Sequence, residues 1–213
     1  MASRTRGQAF SELRVIRRMV LDALDGLAQR LGDLRTRRRF EVLVARGMRI
    51  GRDVHLPAST WIDAAHCYLI SIGDNCRLGE QCLILAHDAQ MDEFLDAGRL
   101  GRVTLHPSCQ IGARTCIMAG VDIGPRTIVA PNSVVTRTLP PDTVCGGNPA
   151  RVLATLDEYL AARRTELEGL PQFDAESFRR MSGTPEGRAA LAAALSVSGG
   201  FVADRGGGSE RAG

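Results

Sequence analysis

The chain has 213 residues, of which 44% are hydrophobic, 24% charged and 4% aromatic. That balance suits one globular domain with appendages and excludes wholesale disorder, and no apolar run approaches the ~20 residues of a membrane-spanning helix. All 27 basic residues are arginine, and the net charge of +3 hides a divide: residues 1–50 carry twelve arginines against five acids, the other 163 fifteen against nineteen.

The basic N-terminal stretch lacks the apolar core and small-residue cleavage site of an export signal, so a cytoplasmic protein with six free thiols is expected. No Cys-x-x-Cys pair supports a structural zinc site. Scarce aromatics and the absence of a recognition motif argue against nucleic acid as a partner.

Residues 1–47 are expected to be a helical segment. Phe10, Leu13, Ile16, Val20, Leu24, Leu27, Leu31 and Leu34 recur at three- and four-residue steps, which predicts an amphipathic helix or helix pair. Gly26 and Gly32 weaken it locally. Such a stripe packs on its own domain or on a neighbouring subunit. The secondary reading is weak contact of this basic segment with an anionic membrane surface.

From residue 48 the period changes. Aliphatic residues recur every six positions: Ile50, Leu56, Ile62; after a four-residue slip Ile72, Leu78, Ile84; after a loop Leu105, Ile111, Ile117, Ile123, Val129, Val135. A smaller residue precedes each by two, among them Thr60, Cys76, Cys82, Cys109, Thr115, Thr127 and Ser133. Period six fits neither a helix nor an alternating strand. It fits a coil with three flat faces, two inward residues per face, and coils stacked by backbone hydrogen bonds. Gly51, Gly73, Gly79, Gly112 and Gly124 follow the aliphatic residue, where a tight turn with positive φ is expected. Cys76, Cys82 and Cys109 read as core thiols. Residues 88–102 lack the hexad and read as an extruded loop. Cys116, Ile128 and Val134 point outward on the regular scheme.

The run VTLHPSCQIGARTCIMAGVDIGPRTIVAPNSVVTRTLPPDTVCGGNPARVL (103–153) and the block IGDNCRLGEQCLILAHD (72–88) resemble the hexapeptide-repeat acyltransferases. The likeness is strongest to the maltose and galactoside O-acetyltransferases and their polysaccharide-modifying relatives. It implies a mainly β fold, a left-handed parallel β-helix over residues 48–152, assembled as a homotrimer. It also implies acetyl-CoA, or another acyl-CoA, as co-substrate, with no permanently bound cofactor. The expected activity is O-acetyl transfer to a sugar, polysaccharide precursor or glycosylated small molecule.

Residues 153–204 are expected to form a helical extension, with helices over 153–167, 175–181 and 185–195, and residues 205–213 a disordered tail.

Acyl transfer from a thioester needs a base for the acceptor proton and a fixed donor for the oxyanion. His87 stands where the coil pattern breaks into the loop, a natural cleft mouth, and its AHD triplet resembles the family's general-base triplet. The resemblance further implies the Ala113 amide as oxyanion donor, Thr136 and Arg137 near the coenzyme, and Arg151 near its nucleotide phosphates. Pro131 falls where the family uses an alanine amide. Proline has no N–H, so that bond is lost or Asn132 supplies it. A carboxylate should orient His87, and Asp88, Asp92, Glu93 and Asp96 lie near enough in sequence. His106 reads as a solvent or interface residue, while His55 and His66 match no role. An amine or drug-like acceptor is the alternative. A zinc hydratase or a scaffold is the distant one, because a short-spaced histidine pair is absent and no metal site is expected.

Overall fold

The computed structural model describes residues 6–196 and 199–203. The side chains of Phe10, Leu13 and Ile16, and the tail 205–213, lie outside the described residues.

The chain opens with one helix, α1 (Arg6–Ala45), rather than a pair. No proline occurs before Pro57, and the ~1 kcal/mol penalty of each interior glycine does not break so long an element. Gly47, at φ 101°, ends it: the Gly47 amide donates to the Val44 carbonyl and the Met48 amide reaches back to Leu43, a left-handed C-terminal cap. Leu43 and Met48 are buried, with Phe40 packed against the core. The upstream stripe is not covered: Val20, Leu24, Leu27, Leu31 and Leu34 are all exposed.

The hexads then wind into a three-faced parallel β-coil. On the first face Ile50, Ile72, Leu105 and Ile123 stack in register. On the second, Leu78, Ile111, Val129 and Cys145 do so. On the third, Ile62, Ile84, Ile117 and Val135 do so. The inward aliphatics are 0–3% exposed except Ile50 and Leu56 at the open first coil. Several of the small inward residues satisfy corner carbonyls. Thr115 Oγ1 donates to Gly112, Ser133 Oγ to Ala130, and the Cys76, Cys82 and Cys109 thiols to His106, Gly112 and Gly124. All six cysteines are free thiols.

The corner glycines do a different job from the one expected. None of those following the aliphatic residue has positive φ. The left-handed residue comes two positions later: Asp53, Asn75, Gln81, Ser108, Arg114, Arg126 and Asn132. Glycine is needed because the next coil's backbone passes over it. A Cβ on Gly79 would lie 2.5 Å from the Ala113 nitrogen, and one on Gly112 would lie 2.4 Å from that of Pro131.

The outer surfaces differ in chemistry. The first face shows Arg49, Ser71, Thr104 and Asp122. The third shows the apolar ladder Trp61, Leu83, Cys116 and Val134. Cys116, Ile128 and Val134 lie on the outer side and are half-buried, while their neighbours Ile117, Val129 and Val135 are in the core.

Two insertions interrupt the coil. The slip after Ile62 becomes a 3₁₀ turn, Cys67–Leu69. The stretch after Ile84 is an arm rather than an irregular loop: His87–Asp88 pairs antiparallel with Arg99–Leu100 around a short helix, α2 (Asp92–Leu95).

A second unit, from Thr155 onward, holds α3 (Leu156–Gly169), α4 (Ala175–Ser182), α5 (Pro185–Ala194) and a parallel strand pair, Gln172–Asp174 with Phe201–Ala203. The first helix starts three residues later than expected. Ala150–Thr155 is still strand, and Thr155 with Glu158 forms a capping box that sets the start.

Candidate active site

The site lies where the chain leaves the third face of the first two coils. In coil one, Asp63 follows the inward Ile62, and its amide donates to the Ile84 carbonyl at 3.0 Å. The 3₁₀ turn that absorbs the slip then begins at His66, whose amide donates to Asp63 Oδ1 at 3.2 Å. In coil two, His87 opens the extruded arm. The Gly101 amide donates to the carbonyl of buried Ala86, which pins the base of the arm.

Stacking these coils puts Asp63 under both rings. His87 Nδ1 lies 2.5 Å and His66 Nδ1 3.2 Å from Asp63 Oδ2. The ring centroids are 4.7 Å apart and tilted by 46°. The Asp63 side chain is 2% exposed, His66 26% and His87 37%. Thus a sealed carboxylate holds two partly exposed imidazoles. Burial pushes the Asp63 carboxyl up, but hydrogen bonds from His87 and from the His66 amide and ring outweigh it and hold it below the usual carboxylate range. With Nδ1–H donated to Asp63, the lone pair of His87 sits on Nε2. That arrangement suits a general base and stabilises the imidazolium that forms when it takes a proton.

The orienting carboxylate is therefore none of the loop acids. Asp88 accepts from the Gln90 amide, Asp92 and Glu93 lie in the first turn of α2, and Asp96 caps its end. Asp63 was missed because it stands 24 positions before His87. Its signal was present: the other coils carry Leu85, Met118 and Thr136 just after the inward aliphatic, and only the first carries an acid. His66 was missed because the slip obscured its place. His106 and His55 are exposed and take no part in the cluster.

The expected coenzyme residues divide between corners. Thr136 and Arg137, both exposed, follow the third face and share the column of the Asp63–His87 pair. They stand two coil steps beyond His87, about 10 Å at ~4.8 Å per step. Ala113 and Pro131 sit one above the other at the preceding corner, between the second and third faces. Arg151 is exposed on the strand that flanks the last strand of the second face. A single chain thus leaves Ala113 and Pro131 a full face away from His87. Asn132 cannot replace the amide that Pro131 lacks, because its own N–H donates to the Ala113 carbonyl at 2.9 Å.

The coil carries the repeats of two family profiles, "Bacterial transferase hexapeptide (six repeats)" over residues 102–137 and "Hexapeptide repeat of succinyl-transferase" over residues 69–84. YvoF of Bacillus subtilis, named a putative acetyltransferase, is 32% identical over 111 residues, 52% of this chain and 62% of its own length. Galactoside O-acetyltransferase of Escherichia coli is 27% identical over 95 residues, 43% of this chain and 46% of its own. The crystal structure of a hexapeptide-repeat acetyltransferase from Vibrio cholerae, complexed with acetyl coenzyme A, has 29% identity and a TM-score of 0.47 over 52% of this chain and 61% of that one. The chain spans less than two thirds of each of these relatives.

Proposed function

We propose that the chain is a member of the hexapeptide-repeat acyltransferase family, whose repeat profiles it carries, and that it transfers an acetyl group from acetyl-CoA to a hydroxyl of a sugar, polysaccharide precursor or glycosylated small molecule. The coil winds left-handed in this reading, as family membership implies. The observation that carries the proposal is the Asp63–His87 pair, a buried carboxylate on the far nitrogen of a partly exposed imidazole.

His87 Nε2 takes the hydroxyl proton as the acceptor oxygen attacks the thioester carbonyl. The negative charge then gathers on the former carbonyl oxygen, where a fixed amide is needed. Collapse breaks the C–S bond, and the imidazolium returns its proton to the departing coenzyme A thiolate. Asp63 remains ionised throughout and holds the ring. The test is an acceptor panel with acetyl-CoA and release of free coenzyme A as readout. Turnover with sugar hydroxyls supports the proposal. Turnover confined to amines moves it to N-acetylation, and none with any acceptor overturns it.

The division of site residues between corners supports a ring of copies. A homotrimer in which one copy's Ala113 corner meets the next copy's His87 corner brings the oxyanion donor to the base. The ladder of Trp61, Leu83, Cys116 and Val134 is the apolar surface such packing would cover. Light scattering at micromolar concentration should give a trimer, and Leu83→Asp should shift it to monomer. A monomeric wild type would end the shared-site reading.

Arg137 is read as a contact to a coenzyme phosphate. Charge-assisted bonds of this kind support a rise of about tenfold or more in the KM for acetyl-CoA on Arg137→Ala, with the acceptor KM unchanged. Initial-rate measurements varying each substrate check this. An unmoved acetyl-CoA value would put the coenzyme on another surface.

A further inference from the structure

We propose that Asp63, His66 and His87 together form a binding site for a zinc-class divalent cation, which locks the active-site imidazole and blocks acyl transfer. The sequence offers no short-spaced histidine pair, but the fold builds one through space. One donor atom from each of the three side chains lies within 4.8 Å of the others, the only such cluster among the described residues. His66 Nδ1 and Asp63 Oδ2 are 3.2 Å apart. Donors bonded at about 2.0–2.2 Å to a tetrahedral ion stand roughly 3.3 Å from one another, so that edge already fits. The His87 Nδ1–Asp63 Oδ2 edge, 2.5 Å in the metal-free pair, must open by roughly 0.8 Å to reach that spacing; both rings are partly exposed, while Asp63 is buried and held through Oδ1.

The donor chemistry selects the ion. Two imidazole nitrogens and one carboxylate oxygen suit zinc, nickel or copper, whereas calcium and magnesium favour sets of oxygen donors. Three protein ligands leave a fourth position for water. The proton count explains the block. In the metal-free pair the His87 proton is on Nδ1 and the basic lone pair on Nε2. On metal binding the Nδ1 lone pair goes to the ion and the proton to Nε2, so the ring keeps its proton and loses its basic site. The blocking half of this proposal rests on the acyltransfer reading; the binding half does not.

Calorimetric titration of chelator-stripped full-length protein with zinc chloride tests it. The expected result is one zinc per chain at micromolar affinity or tighter, no binding of magnesium chloride, and at least tenfold weaker zinc binding in His66→Ala and His66→Gln, checked as folded by circular dichroism. Cobalt-loaded protein should lack a thiolate charge-transfer band, which excludes the half-buried Cys116 as ligand. In the activity arm, zinc should inhibit the wild type reversibly to EDTA, and the His66 variants should need at least ten times more zinc for half-inhibition. No zinc binding at about 1 mM, unchanged affinity in folded His66 variants, or a thiolate band overturns the site. Tight zinc binding with full turnover overturns the block alone. A protein without acyltransferase activity leaves the binding arm to decide.

Discussion

His87→Ala should lower the turnover number by about 10²–10⁴, the usual contribution of a positioned base. The KM for acetyl-CoA should stay near the wild-type value, because the residues read as coenzyme contacts stand two coils away at Thr136 and Arg137. The melting temperature should hold as well: the imidazole is 37% exposed and stands outside the packed column. His106→Ala, on an exposed corner, should leave turnover intact. A purely structural His87 would reverse the pattern, with lower stability and normal activity per folded molecule. Turnover, coenzyme affinity and melting temperature measured on both variants separate the two cases. Full turnover in folded His87→Ala would remove the mechanism.

Asp63→Asn should cost turnover on a similar scale, because an amide can stabilise the wrong tautomer of His87 and cannot offset the imidazolium charge. The double variant with His87→Ala should lose little more than His87→Ala alone, since residues acting as one unit are not additive. The same residue carries a pH signature. Its folded carboxyl lies below the ordinary carboxylate range, so ionised Asp63 stabilises the fold at pH above the unfolded value of about 4. That stability is lost as pH falls through the lower folded value. Wild type should therefore melt higher than Asp63→Asn at neutral pH, with the gap closing in acid. Thermal melts across the acid range check this, and a gap independent of pH would show that the Asp63 charge does not support the fold.

The acidic partner of His87 marks the boundary between what was legible and what was not. Two inward residues per hexad, one bulky and one small, determined the column from Ile50 to Val135, the free core thiols and the break at His87. That information is local, because a face of the coil is six residues long and repeats. The same period did not locate the left-handed corner, because glycine after the aliphatic residue serves close approach between coils rather than backbone handedness. Nor did it join Asp63 to His87. Their meeting depends on how many residues the slip consumes and on one coil settling in register over the next. His66 enters the cluster because the surplus residues fold as a 3₁₀ turn rather than a wider loop. Proximity between coils is set by stacking register, which belongs to the assembled column and to no single hexad.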